Sequence, residues 1–336
     1  MKAQTPLVTV LMPVYNAEEF LIPAIDGILN QTYANFEFIL INDGSTDRSE
    51  KIINSYSDPR IKYYSQNNVG VAKTLNNGIP LASGKYIWRH DADDICLPDK
   101  LEKQVAFLEQ NKEYCLCATQ VAFMTESGNV SWKFRQPKNA YFQDNKYVEV
   151  KREHFNPFSP ITHATVLIKT EDLKNVNGYR TEFKTAEDVD LWLRLLHNHK
   201  AAVLNDCNYF VRLSKASATQ KYGWKNKFYK DLAFQYFNQR AEGKKDDLQN
   251  GGSIVEPAAP DNVIPTRRPG REFRSDLLNF NYALHINAKD WAAVKEIILL
   301  SLKDGWKIKS TWRAILFPLL GEKTVQTGVK LKSLFR

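Results

Sequence analysis

Three carboxylates stand within four residues in the run Lys85-Tyr86-Ile87-Trp88-Arg89-His90-Asp91-Ala92-Asp93-Asp94. Tyr86 to Trp88 are bulky and strand-prone, and a strand that runs into Asp-Ala-Asp projects Asp91 and Asp93 to one side. Two like charges held together cost free energy unless a proton or a cation neutralises them. A hard divalent ion shared with a substrate diphosphate is the usual neutraliser. The plainer alternative is an acidic turn capping a helix that begins near Pro98. A second acidic run, Thr185-Ala186-Glu187-Asp188-Val189-Asp190-Leu191-Trp192-Leu193-Arg194-Leu195, opens a helix with Leu191 and Leu195 on one apolar face. At the least, its acids favour the dipole at that helix start.

The elements that must position these groups alternate. Residues 8–14 form a nearly continuous apolar run that Pro13 helps to end, as in a buried parallel strand. Residues 17–31 carry a helical stripe. Strands are expected at 36–41, 61–64 and 85–88, and helices at 47–56, 69–81 and about 98–111, with Ser45 or Thr46 capping the first of these. Such alternation indicates an α/β fold with a parallel sheet, whose ligands bind beyond the carboxyl ends of the strands. Those ends carry Pro13-Val14-Tyr15-Asn16, Asp43-Gly44-Ser45, Asn67-Asn68-Val69-Gly70 and Asp91-Ala92-Asp93. No Gly-x-Gly-x-x-Gly follows the first strand and no Gly-Lys-Ser/Thr loop occurs, which argues against a dinucleotide dehydrogenase and a P-loop enzyme.

Further along, residues 118–124 and 130–134 read as hairpin strands around Gly128-Asn129. Residues 149–155 read as a short helix, 161–168 as a strand, 170–173 as a helix start and 207–213 as a strand. A helix is expected at 222–241, a linker or mobile loop at 243–270, and two helices at 273–286 and 288–302. The expected division is a catalytic-type domain at 1–220 and a mostly helical, basic extension at 221–336.

Composition bounds the class. With 43% hydrophobic and 25% charged residues among 336, the chain reads as soluble and globular. A formal charge of +8 suits an anionic partner. Cys96, Cys115, Cys117 and Cys207 form no zinc spacing and read as reduced, buried thiols. No secretory signal is visible, and no apolar run approaches the roughly 20 residues a bilayer needs, so a cytoplasmic, soluble or peripheral protein is expected. Residues 301–336 carry eight Lys or Arg against two acids, interleaved with Trp306, Trp312 and Phe317. Two readings stand: a contact with an anionic membrane surface on its inner face, or a packed cap with a solvated basic rim.

Several runs together resemble glycosyltransferase family 2: Val10-Leu11-Met12-Pro13-Val14-Tyr15-Asn16, Leu29-Asn30-Gln31-Thr32, Asn42-Asp43-Gly44-Ser45-Thr46-Asp47, Asn68-Val69-Gly70 with Leu75-Asn76-Asn77-Gly78, and Gly84-Lys85-Tyr86-Ile87 into Asp91-Ala92-Asp93-Asp94. The resemblance spans about residues 6–215. It implies a GT-A fold, Rossmann-like with a mixed, mostly parallel sheet flanked by helices, here with a C-terminal helical extension. It also implies inverting transfer of a sugar from a nucleoside-diphosphate sugar, a UDP-sugar foremost, to an acceptor hydroxyl. Mn²⁺ or Mg²⁺ would be the cofactor, a saccharide or lipid-linked saccharide the acceptor, and bacterial surface-polysaccharide, lipopolysaccharide or capsule synthesis the setting.

By the same resemblance Asp188 is the catalytic base, and Asp93 holds the metal. Asp91 belongs to the ribose or metal shell, with Ala92 beside it. Asp43 meets the nucleobase, which Pro13 and Tyr15 border. Asn68 and Lys73 are weaker nucleotide contacts, a solvated Lys73 being the plainer reading. Glu187 and His163 are candidates on the acceptor side, although a core or strand-edge role is the default for His163. One departure stands out. Many relatives carry Tyr-Arg-x-His, whose histidine can ligate the metal, where this chain has Val211-Arg212-Leu213-Ser214. Fewer protein ligands and more water are then expected around a magnesium-type ion. A nucleic-acid-binding module built on the basic tail would leave both acidic runs without purpose, and no nucleic-acid partner is expected. A metal-dependent nucleotidyltransferase is the other alternative.

Overall fold

Strand β1 (Val8–Val14) lies at the centre of the parallel half of the sheet, buried along nearly its whole length. Alternation sends Val8, Val10, Met12 and Val14 to one face and Leu11 to the other. The computed structural model describes residues 7–124, 145–155, 159–212 and 224–258. After β1 come α1 (Leu21–Leu29), β2 (Phe36–Asp43), α2 (Ser49–Ile53), β3 (Ile61–Gln66), α3 (Val71–Gly78), β4 (Tyr86–Arg89), β5 (Ile95–Cys96) and α4 (Lys100–Gln110). Then follow β6 (Tyr114–Met124), β7 (Tyr147–Glu149), β8 (Leu167–Lys169), α5 (Thr170–Asn175), α6 (Glu187–Leu195), β9 (Lys200–Arg212) and α7 (Trp224–Ala241).

The sheet runs β3-β2-β1-β4-β8-β6-β9-β5, with β7 paired to β9. The first four strands are parallel, β8 is antiparallel to both β4 and β6, and β6 and β9 are again parallel. This is the expected mixed, mostly parallel sheet flanked by helices, with a helix following it in the chain. One buried cluster packs α1 and α4 against Val10, Phe38, Leu40 and Trp88; the other packs α3, α6 and α7 against Leu11, Ile39, Ile41 and Ile87. Because Ile87 faces α6, the pleat carries Arg89, two residues on, to that face.

Local chemistry redraws several expected elements. Of residues 161–168 only Leu167 and Ile168 enter a strand, β8. The Thr162 carbonyl accepts both the Thr165 N–H (3.0 Å) and its hydroxyl (2.8 Å), closing a 3₁₀ turn at His163–Thr165 before β8. Residues 149–155 shorten to a 3₁₀ turn at Arg152–Phe155, after β7 has paired with β9. The strand expected at 207–213 is the end of the longer β9. Neither Ser45 nor Thr46 caps α2, which Arg48 precedes without a side-chain cap bond. The described part of the expected mobile linker, 243–258, folds back on the protein. Asp246 is fully buried there, Leu248 and Ile254 pack on the α6 side of the core, and Glu256 bonds Lys184, Lys225 and the Tyr229 hydroxyl. Its Gly-rich composition hid these partners, which belong to remote elements. Residues 259–270, the helices expected at 273–302, the 130–134 strand and the basic tail lie outside the described residues. Among the described residues no helix is long and apolar enough to cross a membrane.

Candidate active site

Strand β4 stops at Arg89, so Asp91, Asp93 and Asp94 sit on a turn beyond it, closed by Asp94 N–H to the Asp91 carbonyl (3.4 Å). The strand expected at 85–88 is thus shifted by one residue, and the Asp-Ala-Asp run lies beyond it on the turn and not on the strand itself. The cluster does not cap α4 either. Strand β5 intervenes, Asp99 precedes the helix without a side-chain cap bond, and Gln31 Oε1 accepts the Leu101 N–H at 3.0 Å. Gln31 also donates to the Leu97 carbonyl (2.8 Å), so the Gln31-Thr32 motif fixes the segment that follows the acidic turn.

Arg89 lies beneath this turn, 7% exposed, and its Nη1 donates to Asp91 Oδ2 while Nε has no partner. Burial and the Asp91 charge push the Asp93 carboxyl up to about 6. Burial, then Asp91 and Asp93, push Asp94 well above the usual carboxylate range. Asp94 accepts the Arg212 N–H at 2.8 Å, and Arg212 Nε donates to the Asp93 carbonyl at 2.7 Å. The end of β9 thus delivers Arg212 to the acidic turn, while Ser214, which stands where many relatives carry a histidine, lies outside the described residues. His90 points to the opposite face, with ring centroids 5.2 Å from Trp88 and 5.0 Å from Tyr209.

The second acidic pair begins α6, immediately after Ala186, whose φ of 58° is left-handed. Burial, then the neighbouring Asp188, push Glu187 up to about 7. Burial raises Asp188 as well, opposed by a 2.8 Å bond from the Val189 N–H and by the positive charge of Arg89. The Asp91 charge acts on both carboxyls and raises them further. The two acidic runs, far apart in sequence, therefore share one electrostatic neighbourhood around the buried Arg89 guanidinium. His163 lies next to it. Its Nε2 is 2.8 Å from the Tyr179 hydroxyl and its ring meets Trp192, an arrangement that suits a core histidine. Burial, then Arg89, hold it well below the usual imidazole range.

On the other side, the ends of β1, β2 and β3 are stitched together. Asn16 donates its N–H to Ser45 Oγ (3.0 Å) and accepts the Thr46 N–H (2.8 Å), while Ala17 and Glu18 donate to Ser49 and Asp47. Asp43 accepts from Gln66 Nε2 (2.8 Å) and from the Val69 and Gly70 amides (both 3.0 Å). A carboxylate offers about four lone-pair sites, so little of the Asp43 acceptor capacity remains. Gly44 adopts φ 73°, and a Cβ there would stand 2.7 Å from the Asn68 nitrogen. The structure thus gathers Pro13, Tyr15, Asp43 and Asn68 at neighbouring strand ends, with Tyr15 53% exposed. Ala92 is buried in the acidic turn, and Lys73 is exposed on α3.

Arg89, Tyr179 and Arg212 are the residues of this region to which the sequence reading attached no role. A signal existed for Arg89: three clustered acids need a cation, and the pleat places residue 89 on the Ile87 face. Arg212 had a signal in the Val211-Arg212-Leu213-Ser214 run that stands against Tyr-Arg-x-His, whereas nothing local announced Tyr179.

The fold, a mixed and mostly parallel sheet flanked by helices, is of the GT-A class. A family model described as Glycosyl transferase family 2 matches residues 9–172. An uncharacterized glycosyltransferase of Methanocaldococcus jannaschii is 33% identical over 242 residues, 66% of this chain and 81% of that one. The putative glycosyltransferase EpsE of Bacillus subtilis is 35% identical over 214 residues, 62% and 73% of the two chains. This chain belongs to glycosyltransferase family 2. Among solved structures, TarS 1–349 of S. aureus in complex with UDP-GlcNAc superposes with a TM-score of 0.54 at 18% identity, over 89% of this chain and 92% of that one. Its complex with UDP gives 0.51 at 18% identity, over 96% and 91%. That likeness concerns the fold.

Proposed function

We propose that the protein moves a sugar from a nucleoside-diphosphate sugar to an acceptor hydroxyl with inversion, Asp188 taking the hydroxyl proton. The observation that carries this reading is that the buried Arg89, paired with Asp91, also acts through its charge on Asp93, Glu187 and Asp188. A transferase needs a base for the incoming hydroxyl and charge compensation for the leaving diphosphate. Asp188, held by the Val189 amide and the field of Arg89, keeps its ionised form more readily than burial alone would allow. Glu187, pushed up to about 7, retains a proton near neutrality and is suited to donate a hydrogen bond to the acceptor.

A divalent cation suits the other carboxylates. Asp91 and Asp93 are hard oxygen donors, crowded enough that the Asp93 proton is held up to about 6. Among the described residues no group of three or more His, Cys, Asp or Glu is arranged to hold a metal by itself. Two carboxylates sharing an ion with a diphosphate and water is a donor set typical of Mg²⁺. When bound, such an ion neutralises charge developing on the leaving diphosphate. Asp43, Tyr15 and Pro13 would border the base of the nucleotide. UDP is the nucleotide we infer, because TarS 1–349, with a similar fold, was solved with UDP and UDP-GlcNAc. The acceptor we infer is a saccharide, free or lipid-linked, of a surface polysaccharide.

A donor screen tests the reading. The purified chain, with and without manganese or magnesium, should release nucleoside diphosphate from one sugar nucleotide in the presence of a saccharide acceptor. Release of pyrophosphate from a nucleoside triphosphate would instead support nucleotidyl transfer.

A further inference from the structure

Five charged side chains form a buried network behind the acidic site. Asp190, in the first turn of α6, is fully buried and accepts from Arg180 Nη1 (3.3 Å) and Arg194 Nε (2.8 Å). The remaining nitrogens of Arg194 donate to the Val176 and Gly178 carbonyls at 2.5 and 2.7 Å. Arg180 Nη2 reaches both oxygens of Asp246, at 3.0 and 2.8 Å, and Arg240 Nη1 donates to Asp246 Oδ2. Asp246 is itself fixed by Gln249, whose side-chain oxygen accepts the Asp246 N–H at 2.9 Å and whose N–H returns to Asp246 Oδ1 at 3.0 Å.

Three guanidiniums here face two carboxylates, and a guanidinium does not shed its proton in proteins. Removing one carboxylate leaves buried cations uncompensated, which a packed interior accommodates only by moving them. Arg180 is the cation with the most to disturb. It bridges Asp246 to Asp190, two residues beyond Asp188, and it follows Tyr179, whose hydroxyl meets His163.

We propose that Asp246, outside the family-matched residues 9–172, is a positioning residue for sugar transfer: through Arg180 and Asp190 it sets where the first turn of α6 presents Glu187 and Asp188. The inference rests on the reading of Asp188 as the base. It makes transfer depend on the segment after α7, which composition marks as a linker.

The test compares the full chain with Asp246→Asn and with the double variant Asp246→Asn/Arg240→Gln, which returns the network to its original net charge. Transfer rate, UDP affinity with manganese, thermal unfolding and amide exchange at 187–190 are measured. Asp246→Asn should lower the rate about 10- to 100-fold, the scale of a small misplacement of a reacting group. Its UDP affinity should stay within about twofold of the parent, because Asp246 touches none of the nucleotide-side residues. Amide exchange at 187–190 should speed up while that of α4 is unchanged. The double variant should regain thermal stability but not rate, since Arg180 still lacks its anchor. Parental rate and parental exchange in a folded Asp246→Asn overturn the proposal, as does a double variant that regains both stability and rate. A parent chain that transfers no sugar to any acceptor counts against the functional reading instead, and the exchange data then still decide whether Asp246 holds α6.

Discussion

Asn76 and Tyr179, 103 residues apart, are joined by two hydrogen bonds through one side-chain amide. Asn76 Oδ1 accepts the Tyr179 N–H at 2.8 Å and Nδ2 donates to the Tyr179 carbonyl at 2.7 Å. The amide thus acts as a short piece of partner strand for a residue outside any strand. Gly178 is held left-handed beside it, and a Cβ there would stand 2.5 Å from Asn76 Oδ1. The Leu75-Asn76-Asn77-Gly78 motif of α3 therefore clamps the turn that carries Tyr179 and Arg180 toward the site.

Replacing Asn76 with Ala should leave both main-chain groups of Tyr179 unpaired in a largely buried place. The cost of such orphaned groups is about 1–3 kcal/mol. Urea unfolding should show that loss, accompanied by a slower transfer rate. A variant as stable as the parent would mean that the clamp contributes nothing to the fold.

Asp188→Asn preserves shape and removes basicity. The transfer rate should fall by about 10²–10⁴-fold, the usual scale for a lost general base, while UDP affinity stays close to parental. Glu187→Gln should cost less, because a group pushed up to about 7 already carries a proton much of the time near neutrality. The same substitution bears on stability. A carboxyl raised from 4.5 to about 7 on folding stabilises the native state below about 4.5, and this contribution is lost as pH climbs to about 7. Glu187→Gln should therefore melt higher than the parent at pH 8 and lose that advantage near pH 4. Equal melting temperatures at both pH values would show that Glu187 ionises in the native state as it does in the unfolded chain.

Asp93→Asn removes one of two crowded carboxylates. Manganese dependence and donor affinity should weaken together, by about tenfold or more for a lost charged ligand. Parental activity of this variant at limiting manganese would remove Asp93 from the metal site.

Glu37 supplies a prediction with the opposite pH sign. Burial alone would raise its pKa, but bonds from Lys62, Thr9 and Ser83 hold it down at about 2. A depressed carboxyl stabilises the fold above its unfolded value of 4.5, and that contribution disappears as pH falls toward about 2. The parent should lose on the order of 2 kcal/mol more than Glu37→Gln between pH 5 and pH 2. Parallel acid-unfolding curves would contradict it.

Much of the fold is legible along the chain because its causes are local. The mostly apolar runs at 8–14, 36–41 and 86–88 read as strands buried on both faces, as they are, and the stripes in α1 and α4 face one core. The two acidic runs are also local, since carboxylates at that spacing are conspicuous wherever the chain folds. What joins them is not local. Arg89 pairs with Asp91 and its charge reaches the α6 carboxyls only because tertiary packing brings the end of β4 and the start of α6 into one neighbourhood. Arg212 reaches the acidic turn, and Asp43 the 69–70 amides, because separate strand ends come side by side. Thr162 turns the 163–165 stretch by a hydrogen bond that competes with strand pairing, against its β-branched composition. Residues 243–258 show the limit most plainly. Their sequence is that of a linker, and only the tertiary structure supplies Arg180 and Arg240 for Asp246, because an ion pair's partner is chosen by where the chain returns in space and not by its neighbours along it.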